Sequence, residues 1–174
     1  KHIGNARIVG ISQPRLERII NIQLEHLDEL GDIRQKTLII EIMGKHSNII
    51  FCDESGRILD SIKHVSAQMS SVREVLPGRD YFIPDTMHKL DPLSADPEAF
   101  AEMLRSKPMP ISKALYSGFT GISPVVAEEI CTISGINSSM TASDLSDDIM
   151  HHLYNQFEIY MDQVREGQFQ PERL

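Results

Sequence analysis

Apolar residues follow two different periods in the two halves of this chain. In the first half they come in short, isoleucine-rich runs bounded by turn residues, which predicts β-strands. The predicted strands are residues 18–24, 36–42, 47–52 and 57–65. The connections at 27–35 and 53–56 have the character of hairpins, whereas 7–11 is too short to assign. The first half is therefore predicted to be an antiparallel meander with one covered face.

Helical spacing of apolar residues replaces this pattern in the second half. Asp96 is a predicted N-cap for a helix over 97–105, and Ser123 followed by Pro124 predicts a second helix that stops near Gly135. A last helix is predicted to begin between 141 and 144 and to lead toward an extension. Its predicted apolar stripe is Leu145, Ile149, Leu153, Phe157, Tyr160 and Val164.

Prolines and polar residues between 84 and 97 separate the two patterns and predict a domain boundary. The predicted fold class is α+β, with an antiparallel β domain over residues 1–87 and a helical domain over residues 88–174. The formal net charge of −8 is unevenly spread between them. The first domain holds 11 basic and 12 acidic residues, and the second holds 6 and 13. An RNA-facing surface is therefore expected in the first domain.

The composition of 174 residues, 41% of them hydrophobic, is typical of ordinary globular domains. No apolar run approaches the roughly 20 residues that a membrane-spanning helix needs. The chain begins at Lys1 rather than Met and lacks the apolar segment of a secretory signal, so nothing indicates export, and we interpret the chain as a fragment of a longer protein. Only Cys52 and Cys131 are available, which excludes a disulfide scaffold or a four-thiolate zinc site and favours the cytoplasm.

Four segments in a fixed order carry a resemblance to a known family. They are Glu41-Ile-Met-Gly-Lys-His-Ser-Asn-Ile-Ile-Phe51, Gly56-Arg-Ile-Leu-Asp-Ser-Ile-Lys-His-Val65, Val72-Arg-Glu-Val-Leu-Pro-Gly-Arg-Asp-Tyr81 and Gly121-Ile-Ser-Pro-Val-Val-Ala-Glu-Glu-Ile130. Together they resemble the NFACT family, the ribosome-associated, tRNA-binding group that includes fibronectin-binding protein A. The resemblance covers most of the chain.

This resemblance implies a β domain similar to the amino-terminal domain of formamidopyrimidine-DNA glycosylases, here incomplete, followed by a helix-hairpin-helix domain leading toward a coiled coil. It also implies a cytoplasmic, ribosome-associated quality control factor. Such a factor binds the large ribosomal subunit carrying a stalled peptidyl-tRNA and recruits tRNA, so that a carboxy-terminal tail is added to the nascent chain. We expect no enzymatic activity and no cofactor.

The candidate tRNA-binding residues combine this resemblance with the chemistry of their side chains. They are Glu17, Arg18, Lys45, His46, Arg73 and Arg79. In the family an Asp-Arg pair implicated in tRNA recognition precedes a strand, and Glu17 replaces the aspartate here. A guanidinium can hold phosphate or stack on a base, and Lys45 and His46 offer donors to phosphate or ribose oxygens. The alternative is that these side chains are solvated, or that they hold the turns in which they lie.

Other positions are predicted to shape turns rather than to bind. Gly44 relieves backbone strain between two strands, Asn48 bridges carbonyls and amides beside that turn, and Pro77 with Gly78 makes a second turn. The hairpin residues Gly121, Ser123 and Pro124 leave free amides at a helix start, which can bind phosphate or join domains. Glu128 and Glu129 follow closely and would weaken phosphate binding, so they favour the role of joining domains.

Three other functions were compared with the RNA-binding interpretation. The sequence lacks the amino-terminal proline nucleophile and the four-cysteine zinc finger that glycosylase activity needs. It also lacks the G-x-S-x-G nucleophile elbow of a serine hydrolase. The adjacent His151 and His152 diverge by about 100° on a helix, so no metal site is predicted. The remaining alternative is a surface adhesin that binds fibronectin or fibrinogen, although no export signal supports it.

Overall fold

The computed structural model describes residues 3–84 and 88–169. Contacts divide the chain into two compact units, residues 1–86 and residues 87–174. Within the described residues the first unit contains five strands and the second contains four helices, so the α+β prediction is confirmed. No helix in the described ranges is both long and apolar enough to cross a lipid bilayer.

The first unit is a five-stranded antiparallel sheet in which every strand pairs with the next one along the chain. The strands are β1 (Arg7–Ser12), β2 (Ile19–Leu27), β3 (Ile33–Glu41), β4 (Asn48–Asp53) and β5 (Ile58–Ser61). The prediction from isoleucine-rich runs found β2 to β5, although the last strand ends at residue 61 rather than 65. The exposed edge strand β1 was left unassigned because its apolar pattern is short.

One face of this sheet is covered by the segment that follows β5. The core consists of Ile19, Ile39, Ile50, Cys52, Ile58 and Val75. Val65 and Val75 exchange backbone hydrogen bonds of 2.9 and 2.8 Å, and Tyr81 N donates to Gly56 O at 2.9 Å. These bonds fold residues 65–81 back across the sheet, and Val75, Tyr81 and Ile83 pack against the core.

The second unit contains α1 (Pro97–Arg105), α2 (Ile111–Gly118), α3 (Pro124–Ile133) and α4 (Asp147–Arg165). Two predicted caps are present, since the side chains of Asp96 and Ser123 accept bonds from Ala99 N at 2.8 Å and Val126 N at 3.2 Å. The aromatic rings of Phe100, Phe119 and Phe157 form the centre of the core, with centroids 4.9 to 5.7 Å apart.

The start predicted for the last helix was wrong. Residues 142–144 form a short 3-10 turn, and α4 begins at Asp147 with Ser146 as its cap. The buried stripe therefore includes Met150 and Met161 beside Leu153 and Phe157. Helix α2 was not predicted, because two prolines at 108 and 110 precede a short apolar segment and suggest a loop.

Candidate nucleic-acid interface

Arg18 lies immediately before β2, at one end of the sheet. A turn closed by Glu17 N donating to Pro14 O at 3.1 Å leads into this position, and Arg18 O accepts from Ile42 N at 2.8 Å. The following residue, Ile19, is buried in the core, so strand alternation directs the Arg18 side chain away from the core face. Arg18 is exposed and forms no ion pair within residues 3–84.

The turn between β3 and β4 lies beside Arg18, because Ile42 begins it. Its residues Gly44–His46 form one 3-10 turn, held by Met43 N donating to Ser47 Oγ at 2.9 Å and Ser47 N donating to Gly44 O at 3.1 Å. Gly44 has φ of +59°, a conformation that a residue with a Cβ rarely adopts. The turn leaves Lys45 and His46 exposed to solvent.

Asn48 connects this turn to the segment after β5. Its side chain donates to Lys63 O at 2.9 Å and accepts from both Ile49 N and Lys63 N at 2.9 Å. Lys63 Nζ then donates to Lys45 O at 3.2 Å. Lys63 therefore joins the basic residues at this end of the sheet, a position missed from the sequence although it lies in a family-like segment.

The charges at this end are mixed, with cations in excess. Arg18, Lys45 and Lys63 are basic residues, and we call them together with His46 the basic end of the sheet. Glu17 is adjacent to Arg18 in sequence, and Asp60 Oδ1 lies 2.9 Å from His64 Nε2. The hydrogen bond with His64 lowers the pKa of Asp60. The basic end can therefore attract phosphate oxygens without base-specific geometry.

Arg73, another candidate arginine for tRNA binding, is not part of this exposed set. Its side chain is 12% exposed, and one terminal nitrogen donates to Glu41 Oε1 at 2.6 Å and to Oε2 at 2.5 Å. The other terminal nitrogen donates to Phe82 O at 2.7 Å. Burial opposes the charge of Arg73, but its hydrogen bonds to Glu41 raise its pKa overall. The hydrogen bonds of the guanidinium therefore stabilise the fold of the first unit.

Glu41 and Tyr81 complete this buried network. Tyr81 Oη donates to Glu41 Oε1 at 2.9 Å, and the Arg73 guanidinium lies 5.4 Å from the centre of the Tyr81 ring. Burial, reinforced by the neighbouring carboxylate, raises the pKa of Tyr81. Glu41 is only 1% exposed, so its carboxylate takes its hydrogen bonds from these two side chains rather than from solvent. The first and third family-like segments are thus joined through side chains.

The second predicted turn also has a structural role. Gly78 N donates to Ile58 O at 2.8 Å, and Ile58 N donates to Arg79 O at 2.7 Å, with Pro77 preceding Gly78 at φ of +85°. The exposed Arg79 side chain is paired with Glu74 at 2.9 Å. Arg79 lies on the segment that closes the core, and none of its hydrogen bonds or ion pairs within residues 3–84 involves the basic end.

The helical hairpin belongs to the second unit. Gly121 takes φ of +77° between α2 and α3, Ser123 caps α3 and Pro124 is its first residue. Hydrogen bonds from Ser138 and Ser112 lower the pKa of Glu128, which keeps a carboxylate charged one turn into α3. His152 Nε2 lies 3.0 Å from Ser134 O, which gives this ring a structural partner.

Sequence comparisons match the whole chain to one family. The family model described as NFACT N-terminal and middle domains matches residues 1–174. A protein named Rqc2 homolog RqcH from Bacillus subtilis is 37% identical over 142 residues, which cover 81% of this chain and 25% of that protein. The Streptococcus pneumoniae protein of the same name is 39% identical over 75% of this chain and 24% of its own length. The chain thus spans about a quarter of these curated relatives.

Solved structures agree with this assignment. The N-terminal part of a fibronectin/fibrinogen-binding protein from Streptococcus suis has a TM-score of 0.67 at 36% identity, over 91% of this chain and 54% of that one. A formamidopyrimidine-DNA glycosylase from Thermus thermophilus, MutM, has a TM-score of 0.51 at 12% identity over 92% of this chain and 61% of that one. The second likeness concerns the fold alone and confirms the predicted glycosylase-like architecture. The chain belongs to the NFACT family.

Proposed function

We propose that this chain is a tRNA- and large-subunit-binding module of a ribosome-associated quality control factor. The observation that carries the proposal is the meeting of Arg18, Lys45 and Lys63 at one end of the sheet. Two hydrogen-bonded turns hold these cations outside the core, and such an arrangement suits the sugar-phosphate backbone of a folded RNA. The name of the relatives, Rqc2 homolog RqcH, supports the quality control role.

In this proposal the module has no catalytic residues and acts in the cytoplasm. The complete protein would bind the large subunit that carries a stalled peptidyl-tRNA and recruit tRNA for addition of a carboxy-terminal tail. Arg18 would bind phosphate with its guanidinium, while Lys45, His46 and Lys63 would add donors and positive potential. Glu17 would tune the orientation of Arg18 rather than contact phosphate, because a carboxylate repels it.

The test is an electrophoretic mobility shift of total tRNA with the complete protein at several salt concentrations. Arg18→Ala is compared with wild type and with Arg7→Ala, a matched control that also removes one exposed arginine of the sheet. Arg7 pairs opposite Glu25, roughly 20 Å along β2 from Arg18 at the usual rise per residue. We expect Arg18→Ala to weaken binding about tenfold and Arg7→Ala to leave it nearly unchanged.

Equal losses in the two variants would remove Arg18 from the site and leave only a general effect of net charge. Absence of wild-type binding at low salt would overturn the tRNA proposal.

Binding of fibronectin or fibrinogen is a second candidate function. It is favoured by the solved relatives from Streptococcus suis and Staphylococcus aureus, whose structures are described as fibronectin/fibrinogen-binding and fibrinogen-binding proteins at 36% and 32% identity. Accessibility of the protein to protease on intact cells, together with saturable fibronectin binding, would favour this function. Ribosome-bound protein that is protected in intact cells would count against it.

A further inference from the structure

Three exposed apolar side chains stand at the end of the sheet opposite the basic end. Leu27, Leu30 and Ile33 are 68%, 87% and 66% exposed, and they lie in the hairpin that joins β2 to β3. We call residues 27–33 the hairpin tip. Because β2 is nine residues long, about 30 Å separates the tip from the basic end at the usual rise per residue.

The tip is separate from the apolar core of its own unit. Leu27 and Ile33 form the last pair on the core face, but the preceding pairs on that face are polar. Those pairs are Gln23 with Thr37 and Glu25 with Gln35. On the opposite face, the pair of His26 with Arg34 likewise precedes the tip. The tip is therefore an isolated patch rather than the margin of a larger buried surface.

Polar contacts, rather than these apolar side chains, hold the turn of the hairpin. Asp28 Oδ1 accepts from Leu30 N and Asp32 N, both at 2.9 Å, and Asp28 Oδ2 accepts from Arg34 Nε at 2.9 Å. The hydrogen bond from Arg34 is the main reason that the pKa of Asp28 is lowered. Gly31, at φ of +84°, completes the turn. The backbone is thus held by Asp28 and Gly31, and Leu30, which is 87% exposed, adds little buried area.

Acidic groups surround the apolar side chains. Residues 27–33 contain Asp28, Glu29 and Asp32 and no basic residue. Arg34 balances Asp28 and also approaches Glu54 at 3.8 Å. Glu29 and Asp32 are exposed and have no ion pair within the described ranges 3–84 and 88–169. Such a rim repels the phosphate backbone of a nucleic acid and complements a basic protein surface.

We infer that the hairpin tip is a docking element for a protein whose surface offers an apolar pocket bordered by lysine or arginine. Leu30 enters the pocket, Leu27 and Ile33 seal it, and Glu29 and Asp32 face the basic rim. The turn is already closed by the hydrogen bonds of Asp28, so little conformational entropy is lost when it docks. This inference rests on the proposed function for its choice of partner, a basic protein of the large ribosomal subunit.

The test uses the complete protein and purified large ribosomal subunits. A photo-crosslinking benzophenone amino acid is introduced at Leu30 or, as a control, at Met69. Met69 is an apolar residue of the same unit that is 72% exposed among uncharged neighbours. We expect Leu30 to crosslink to one protein of the subunit and Met69 to give no such product. Crosslinking of Leu30 to RNA alone, or to nothing, overturns the inference.

Affinity measurements on the same subunits test the energetics. We expect Leu30→Ser to weaken binding about tenfold, as for an apolar residue at the centre of an interface, whereas Met69→Ser should not change it. Glu29→Lys should also weaken binding and reduce its sensitivity to salt. All three variants should keep the wild-type unfolding midpoint, because the changed side chains are exposed.

Failure here is distinguishable from failure of the proposed function. If wild type and Leu30→Ser bind the subunits equally, the docking role is excluded while the ribosomal proposal stands. If wild type does not bind them, the ribosomal proposal fails and takes the inference with it. The tRNA mobility shift should be the same for Leu30→Ser and wild type, and a parallel loss would identify the tip as an RNA contact instead.

Discussion

Arg73 and Glu41 lie 32 positions apart in sequence and form a buried ion pair, in which one guanidinium nitrogen contacts both carboxylate oxygens at 2.6 and 2.5 Å. The pair joins the end of β3 to the segment that covers the core. Removal of one partner leaves the other charge buried without compensation, which is far more destabilising than loss of a surface pair. This relationship gives the first prediction about stability.

Arg73→Ala is expected to lower the free energy of unfolding by about 3–5 kcal/mol, because the Glu41 carboxylate stays buried. Arg79→Ala is the matched control, since Arg79 lies in the same segment but pairs with Glu74 at the surface. Its expected cost is about 0–1 kcal/mol. Urea unfolding of both variants measures the difference. Similar costs for the two would mean that the Glu41 site accepts water or a substitute donor.

Asn48→Asp is expected to destabilise the turn between β3 and β4. The new carboxylate can still accept from Ile49 N and Lys63 N, but it cannot donate to Lys63 O and sets an oxygen against that carbonyl. The expected loss is about 1–3 kcal/mol of unfolding free energy.

The control for this change is Asn137→Asp. Asn137 is exposed, and its side-chain oxygen accepts from Ser139 N at 3.0 Å, an interaction that aspartate retains. Thermal unfolding should therefore leave this variant near wild type. An equal shift in the two variants would show that added negative charge, and not the lost donor, is responsible.

Lys63→Ala is expected to reduce the salt dependence of tRNA binding, provided that the basic end contacts phosphate. The slope of log affinity against log salt concentration should fall in magnitude by about 1, and Lys45→Ala should give a similar change. Mobility shifts at four or more salt concentrations measure the slope, with Arg7→Ala as the control for net charge. An unchanged slope in both lysine variants would exclude them as phosphate contacts.

Both cysteine thiols are expected to resist alkylation in the folded protein. Burial raises the pKa of Cys52 and of Cys131 to about 11, so little thiolate exists at pH 8. Iodoacetamide labelling followed by mass spectrometry should show slow modification of folded protein and rapid modification in urea. Rapid labelling of either cysteine without denaturant would contradict its burial.

The same raised pKa values predict a loss of stability at alkaline pH. The unfolded state releases these protons near the ordinary thiol pKa of 9.0, whereas the folded state keeps them until about 11. Their contribution is therefore intact below about pH 9 and is lost as the pH rises toward 11. Urea midpoints at pH 8 and pH 10 for wild type and Cys52→Ala test this, and the variant should lose less between the two.

The sequence predicted the strands well because burial on one face and turn residues at each end leave a local pattern. Isoleucines at 19, 39 and 50 lie in such runs, and all are in the core. Predictions of helix starts succeeded where a cap and a proline were adjacent, as at Ser123 and Pro124. The prediction for the start of α4 failed because residues 142–144 form a separate 3-10 turn and the capping side chain is that of Ser146.

The candidate site was harder to predict from the sequence than the strands, because the role of each side chain there depends on contacts with residues that are distant in sequence. The sequence left open whether Arg73 binds RNA or holds its turn, because its partner Glu41 lies 32 residues earlier. Lys63 gave no local signal of its own, since its position depends on the side chain of Asn48, 15 residues away. Arg18 could be selected only by the family resemblance, because the spacing of residues around it does not distinguish it from other exposed arginines.

The sequential pairing of the strands has a consequence for how the first unit folds. Each strand meets its partner as soon as the next segment of chain is available, so the sheet can grow hairpin by hairpin with little loop-closure entropy. The bond between Arg73 and Glu41 needs the segment that comes after the last strand, and it is expected to form after the folding transition state. Arg73→Ala should then speed unfolding much more than it slows refolding, so this buried pair sets the lifetime of the folded sheet rather than the rate at which it appears.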